Sequence, residues 1–286
     1  MASALFECRR LRMGKIVWAA ATAHTAGMLR DPGAGESKAQ ADRVFDAFRT
    51  LKNSLHAAKP DVVVIIAGDH FMTLSYENMP VFAIATGDKF QTWGEFGTPN
   101  ITLPGNEAFG DAVHASLVES DFDMMAISQG KIDHSFSCPI SFLEIAGAFP
   151  ILPIYINATV PPLPSFRRSL DFGKALGDAL RSQNIAERVA VLGTGGLSHW
   201  VGTPNTGQIN DTFDRDFLAK FVGQEFDILS KLDSDDVMET AGNAAGEVRN
   251  WMIAAMAARD IQPEQLAYEP VAAWKTGIAL VDLRPQ

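Results

Sequence analysis

Cysteine is scarce in this chain, which carries only Cys8 and Cys138 among its 286 residues. Two thiols cannot build the multiple disulfides that staple small secreted domains. The scarcity therefore excludes a disulfide framework, and we expect a protein of the reducing cytoplasm.

Long apolar runs and clusters of positive charge are also missing. No apolar run approaches the roughly 20 residues of a membrane-spanning helix, and no apolar segment of a signal peptide follows the arginines at positions 9, 10 and 12. The 34 acidic residues outnumber the 24 basic ones, for a net charge of -10, and the basic residues are scattered. Because phosphate binding needs a positive surface, the sequence predicts neither a membrane nor a nucleic-acid partner.

Apolar residues make up 47% of the chain, and short apolar runs alternate with longer segments of helical periodicity. The predicted strands are 15–23, 61–68, 80–86, 122–128, 151–158, 188–193 and 277–283. The predicted helices are 36–58, 107–119, 165–183, 212–230 and 245–259. This alternation predicts a single α/β domain over residues 14–286, a three-layer α/β/α arrangement with a mixed central sheet, preceded by a flexible extension at 1–13.

Four of the six histidines follow predicted strands. His24, His70 and His199 come soon after the strands that end near residues 23, 68 and 193, and His134 lies beyond the strand 122–128. Ligands in open α/β sheets bind outside the carboxyl ends of the strands, so we expect these four side chains to converge on one rim. His56 and His114 lie inside predicted helices and are interpreted as ordinary packed or surface residues.

A histidine cluster without cysteines suits zinc or non-haem iron, and it needs a carboxylate to complete a two-histidine, one-carboxylate metal site. The carboxylates available near the cluster are Asp69, Asp88, Glu95, Asp133 and Glu247. Glu247 stands out because small residues precede it and apolar residues follow it in AGNAAGEVRNWMIAAMA, which indicates a buried helix face. A buried carboxylate is costly unless it is paired or binds a metal.

A glycine-rich stretch, AVLGTGGLSHW (190–200), leads into His199. It matches neither the phosphate-binding loop with a lysine after its last glycine nor the pattern GxGxxG. We interpret its glycines as allowing a tight turn in which the backbone approaches metal-bound substrate and His199 points inward.

Five stretches together resemble a known family: AAATAHTAGM (19–28), VVIIAGDHF (63–71), FDMMAISQGKIDHSFSCPISF (122–142), VLGTGGLSHWVGTPNTGQINDTFDRDFL (191–218) and AGNAAGEVRNWMIA (241–254). They resemble the class III extradiol ring-cleaving dioxygenases, specifically the catalytic β-subunit type of protocatechuate 4,5-dioxygenase. The likeness spans about residues 14–260 in the family's order.

The resemblance implies an enzyme of aromatic catabolism that inserts both atoms of O2 into a catechol-like ring, or into an aminophenol or dihydroxypyridine. It implies that Fe(II) is held by His24, His70 and Glu247. It further implies that His199 is the acid/base and that His134 is a second histidine near substrate and oxygen.

Neighbours of these residues are the expected substrate contacts: Thr25, Phe71, Phe136 and Trp200. Asp69 and Asp133 precede His70 and His134, and either is a candidate to orient a ring N–H. We also expect a homo-oligomer, with a small accessory subunit as an alternative. The segments 87–104 and 261–286 are the candidates to close the pocket.

Two other interpretations stay open on the sequence alone. A zinc-dependent hydrolase would use the same histidines and carboxylate to activate water, and would take up no oxygen. A non-catalytic partner subunit would bind no stoichiometric metal, although the complete set of matching residues in this chain argues against it.

Overall fold

The computed structural model describes residues 13–33 and 35–286. Within these ranges eight strands form one large sheet, numbered here in chain order. From edge to edge they are β10 (Glu264–Val271), β11 (Thr276–Asp282), β1 (Lys15–Thr22), β9 (Arg188–Thr194), β2 (Val62–Ala67), β8 (Ile151–Ile156), β3 (Phe82–Ala85) and β6 (Met125–Ile127). All but Met13 of the predicted extension 1–13 lies outside the described residues.

The centre of the sheet is parallel, because β1, β9, β2 and β8 pair in the same direction. Antiparallel pairs join β11 to β1, β10 to β11 and β3 to β8, so the sheet is mixed, as the sequence predicts. Parallel strands place their carboxyl ends at one edge. The loops after β1, β2 and β9 therefore open onto the same rim.

Helices cover both faces of the sheet. On one face lie α3 (Glu107–Glu119), α5 (Phe166–Ser182), α6 (Asp211–Val222), α7 (Phe226–Leu229), α8 (Ser234–Ala241) and α9 (Val248–Ala258). On the other lie α1 (Gly27–Arg30), α2 (Lys38–Ala58) and α4 (His134–Phe142). Strand β2 shows why two layers are needed: Val62, Val64 and Ile66 enter one core while Val63 and Ile65 enter the other. The three-layer prediction is confirmed.

Several elements differ from the sequence prediction. The segment 212–230 divides into α6 and α7, and β10 extends the sheet where no strand was predicted. Helix α4 was missed because Pro139 and several short polar residues interrupt the helical spacing of its apolar residues. A small separate sheet, also unpredicted, consists of β5 (Thr102–Pro104), β4 (Lys89–Thr92) and β7 (Lys131–Ile132). In the described part of the chain, no helix is both long and apolar enough to cross a membrane.

Candidate metal centre and active site

The rim of the sheet brings four histidine rings together. His24 follows β1, His70 follows β2, and His199 follows β9, while His134 is the first residue of α4. The ring centroids of His24 and His70 are 5.2 Å apart, and those of His70 and His134 are 4.2 Å apart. The expected convergence is therefore observed.

The other two histidines lie apart from this group, in α2 and α3. Their Nε2 atoms contact main-chain carbonyls, His56 at Leu143 (3.0 Å) and His114 at Met124 (3.3 Å). Both are packed helix residues, as predicted.

Glu247 completes a three-residue group with His24 and His70. Its Oε1 lies 3.3 Å from His24 Nε2 and 3.2 Å from His70 Nε2. Its Oε2 accepts a hydrogen bond of 2.7 Å from the backbone N–H of Gly196. The side chain sits where a short 3₁₀ turn, Ala245–Glu247, runs into α9, and it is buried. One ligand atom from each of the three residues lies within 4.8 Å of the others.

The hydrogen-bond network fixes the tautomer of His24. The Thr194 hydroxyl donates its single hydrogen to the carbonyl of Ser135 over 2.9 Å. It can therefore only accept from His24 Nδ1, which lies 3.0 Å away. In the neutral ring, Nε2 is left with a lone pair directed at the Glu247 side.

Asp133 fixes the position of the Nδ1 hydrogen of His70 in the same way. Its Oδ2 accepts from the backbone N–H of His70 (2.8 Å) and from the ring Nδ1 (2.9 Å), while its Oδ1 accepts from Ser135 N (2.9 Å). Burial alone raises the pKa of Asp133, but the His70 ring and the Ser135 hydroxyl outweigh it, and the pKa lies below its ordinary value. Asp133 also lies near His70 and His134 in a second three-residue group. Because its oxygens already accept these bonds, we assign it the orientation of His70.

The donor set fits a divalent metal ion. Nε2 of His24, Nε2 of His70 and a carboxylate oxygen of Glu247 face one another, and a divalent cation would bind all three through their lone pairs. Burial lowers the pKa of His70, but the Asp133 and Glu247 carboxylates outweigh it and raise the pKa well above its ordinary value, so a metal ion would displace the proton on Nε2. Burial raises the pKa of Glu247, yet the nearby His24 and His70 rings lower it well below its ordinary value, so the carboxylate is ionised. Two histidines and one carboxylate form a set that leaves metal positions open for other ligands.

His199 is oriented as a proton acceptor. Its Nδ1 donates to the carbonyl of Leu197 over 2.9 Å, and its Nε2 lies 3.8 Å from Glu247 Oε2. Burial lowers the pKa of His199 below its ordinary value. The ring is therefore neutral near pH 7, with the lone pair on Nε2 facing the metal centre.

Glu95 orients His134, a role that the sequence did not reveal. Its Oε1 accepts from the backbone N–H of His134 and lies 3.3 Å from the ring Nδ1. The ring of Phe96 stands edge-on to His134 with centroids 5.3 Å apart. Glu95 follows β4, so the small sheet brings the segment 87–104 to the rim, where it was expected to close the pocket.

The remaining candidate carboxylates do not approach the metal ligands. Asp88 is exposed. Asp69 accepts backbone N–H groups from Met72 (3.1 Å) and Leu74 (3.0 Å), so it closes the loop after His70 and does not orient that ring.

The glycines before His199 allow a close contact between two backbone segments. A Cβ on Gly195 would stand 2.6 Å from Glu247 Cβ, and one on Gly193 would stand 2.4 Å from the carbonyl oxygen of Asn250. The backbone of this stretch therefore approaches the segment that carries Glu247. The approach of the same backbone to substrate stays a prediction.

Phe136 is the one expected substrate contact that lies in the core. It is fully buried and packs on Tyr155, with ring centroids 4.8 Å apart. Residues two apart on a helix point in different directions, so His134 reaches the rim while Phe136 turns inward. Its predicted contact with substrate is therefore corrected.

The other expected contacts remain near the rim. Thr25 and Trp200 are half-buried next to His24 and His199. Phe71 is 38% exposed and stacks on Tyr76 with centroids 4.5 Å apart. We keep these three residues as expected walls of the pocket.

The segment 261–286 is part of the sheet and not a lid. It supplies β10 and β11, and Trp274 is buried with its Nε1 donating to the Asp31 carbonyl over 2.7 Å. The expectation that this segment closes the pocket is corrected by these sheet contacts.

Comparison with known proteins identifies the family of this chain. A family model described as the catalytic LigB subunit of aromatic ring-opening dioxygenase matches residues 18–279. The chain belongs to this family. A solved structure of an uncharacterized protein from Escherichia coli K12 has a TM-score of 0.55 at 12% identity, covering 93% of this chain and 99% of that one, and shows the shared fold.

Two curated relatives illustrate the likeness in sequence. The 2,3-dihydroxyphenylpropionate/2,3-dihydroxicinnamic acid 1,2-dioxygenase of Photorhabdus laumondii is 28% identical over 295 residues, covering 85% of this chain and 90% of that protein. A protein of Dechloromonas aromatica with the same name, numbered 1, is 27% identical over 302 residues, covering 88% and 94%.

The chain is thus a metal-dependent extradiol ring-cleaving dioxygenase of catechol-like compounds. The family assignment made from the sequence is confirmed. The closer likeness to the protocatechuate 4,5-dioxygenase type stays a prediction, because these relatives are named for another substrate.

Replacing Gly195 with alanine tests how closely the glycine stretch and Glu247 must pack. The added methyl would stand 2.6 Å from Glu247 Cβ and 2.9 Å from the Glu247 carbonyl oxygen, so the carboxylate must move. We expect metal affinity to fall about 10- to 100-fold while the circular dichroism spectrum is retained. Gly130→Ala is the matched control, since its new methyl meets only side-chain atoms at 3.4 Å or more. Equal metal affinity in both variants would contradict the packing argument.

Proposed function

We propose that this protein is an Fe(II)-dependent extradiol dioxygenase that opens the ring of a vicinal diol carrying a side chain. His24, His70 and Glu247 would hold the iron. The observation that carries the proposal is the convergence of two Nε2 lone pairs and Glu247 Oε1 within 3.3 Å, with the neutral His199 beside them. Soft thiolate ligands are absent from this set, which suits iron held by nitrogen and oxygen.

Bound Fe(II) would supply the positions at which the diol and O2 meet, and would lower the pKa of the diol. The protein's part is proton handling and orientation. His199 Nε2 accepts the proton that a diol hydroxyl must lose, and the bond from Nδ1 to the Leu197 carbonyl stabilises the resulting imidazolium. The same atom can return that proton to an oxygen of the opening ring.

His134 would act from the other side of the site. With its Nδ1 directed at Glu95 Oε1 over 3.3 Å, its Nε2 is free to hold a hydrogen bond to substrate or oxygen. The ring of Phe96 packs edge-on against the imidazole, with centroids 5.3 Å apart. Thr25, Phe71 and Trp200 are the proposed walls around the diol.

The substrate proposed first is 2,3-dihydroxyphenylpropionate or a close analogue. The support is the name of the two relatives described above, which align over 85% and 88% of this chain. Protocatechuate is the second substrate to test, because the sequence motifs resemble the enzyme type named for it. A zinc hydrolase uses similar ligands, and the metal dependence separates it from the dioxygenase.

Oxygen uptake by anaerobically reconstituted protein tests this proposal. With Fe(II) and 2,3-dihydroxyphenylpropionate we expect one O2 consumed per ring opened, with a new absorbing product. Zn(II)-loaded protein is the matched control and should consume none, because zinc has no accessible redox change. Iron-loaded protein that takes up no oxygen with any vicinal diol, including catechol, protocatechuate and gallate, would contradict the proposal.

His70→Ala tests the ligand role of His70. Removing its Nε2 deletes one of three donors, so we expect iron content below about a tenth of the wild-type value, together with lost oxygen uptake. His56→Ala is the control and should keep full iron, because the lost ring contacts the Leu143 carbonyl and the ring of Phe149 and none of the metal-site residues. The ligand role is excluded by stoichiometric iron in His70→Ala.

His199→Phe separates proton transfer from metal binding. The aromatic ring preserves volume but offers no base, so we expect turnover to fall about 10²- to 10⁴-fold with iron content unchanged. His114→Phe is the control, because His114 is a half-buried residue of α3 outside the histidine group. Near-normal turnover in His199→Phe would remove His199 from the mechanism.

A further inference from the structure

A buried carboxylate behind the His199 loop has no part in the mechanism described so far. Asp214 on α6 is completely buried. Among the described residues, no lysine or arginine forms an ion pair with it, and the guanidinium of the next residue, Arg215, lies over the ring of Tyr268 instead. Burial raises the pKa of the Asp214 carboxyl to about 6.

The oxygens of Asp214 instead accept hydrogen bonds from uncharged donors. Oδ1 accepts from the backbone N–H of Ser198 over 2.7 Å, and Oδ2 accepts from the Ser198 hydroxyl over 2.9 Å. The Tyr268 hydroxyl donates to Oδ2 over 3.0 Å. Because Ser198 Oγ itself accepts from Asn210 N over 2.7 Å, its hydrogen is directed to Asp214.

These bonds fix Ser198, which together with Leu197 precedes His199 in the loop. Strand β11 holds the same stretch from the other side, since Leu197 N donates to the Gly277 carbonyl and Gly277 N donates to the Ser198 carbonyl, both over 3.1 Å. A Cβ on Gly277 would stand 1.9 Å from Asp214 Oδ2, so strand and carboxylate meet with no room for a side chain. The Leu197 carbonyl then accepts from His199 Nδ1.

We propose that Asp214 is a positioning residue that, through Ser198, fixes the backbone at 197–199 so that His199 Nε2 faces the reacting diol. The inference rests on the proposed function of His199. It explains why a carboxylate is placed here: it accepts both the N–H and the O–H of one serine, as well as the tyrosine hydroxyl. A neutral amide of the same shape would turn a donor toward at least one of these three partners in either orientation.

The Asp214→Asn and Ser198→Ala variants test the role in turnover. Small displacements of a catalytic group cost up to about 10²-fold in rate. We expect kcat to fall about 10- to 100-fold in Asp214→Asn and less in Ser198→Ala, which keeps the backbone donor. KM and iron content should stay within about twofold, because the metal ligands are untouched. Asp216→Asn, an exposed aspartate on the same helix, is the matched control and should be unchanged.

A double-mutant cycle separates positioning from general stabilisation. In a His199→Ala background we expect Asp214→Asn to change the residual kcat less than about twofold, since there is no imidazole left to position. If the two substitutions lower kcat independently, so that the fold-losses of the single variants multiply in the double variant, Asp214 acts through stability alone and the proposal is overturned.

Nitrogen chemical shifts of the His199 ring provide a readout that does not depend on turnover. In protein labelled with ¹⁵N-histidine, His199 is assigned by its absence from His199→Phe. We expect a single Nδ1–H tautomer in the wild type and an averaged tautomer signal in Asp214→Asn or, should that variant not fold, in Ser198→Ala. An unchanged tautomer in the folded variants would overturn the positioning role. Wild-type protein that shows the tautomer but no oxygen uptake would instead contradict the proposed function.

Discussion

The site depends on one buried carboxylate facing two imidazole lone pairs. Glu247 is held by the Gly196 N–H on one oxygen and faces His24 and His70 with the other. Burying such a charge without a partner is costly, and the nearby rings and a metal ion compensate for that cost. The parallel centre of the sheet brings both histidines to one rim, and the absent side chain at Gly195 lets the helix carrying Glu247 approach them.

A hydrogen bond at Nδ1 orients each of three histidines around this carboxylate. Each Nδ1 is directed to an acceptor: the Thr194 hydroxyl for His24, Asp133 for His70 and the Leu197 carbonyl for His199. In the neutral form of each ring, Nε2 is left with its lone pair toward the centre. In the proposed function, position separates ligand from base, because His199 Nε2 lies farther from Glu247, at 3.8 Å, than the two proposed ligand nitrogens. The acceptors behind the rings therefore fix the orientation of the rings.

Much of the fold and of the metal site is predictable from sequence because the signals are local. His24, His70 and His199 follow apolar strands, and Glu247 begins an apolar helix. What escapes prediction depends on contacts between distant segments. Glu95 lies 39 positions before the histidine it orients, and β10 was missed because its burial is irregular along the strand. Phe136 shows the opposite error, since closeness in sequence to His134 does not place a residue on the same face of a helix.

We propose that His24, His70 and Glu247 hold one Fe(II) with positions open to both diol and oxygen. Electron paramagnetic resonance of the anaerobic Fe(II) protein with nitric oxide, a stand-in for O2, distinguishes this arrangement from others. We expect one high-spin iron–nitrosyl signal per chain that changes shape when a vicinal diol is added and is absent from His70→Ala. A signal that does not respond to any diol, or that survives in His70→Ala, would exclude this metal site.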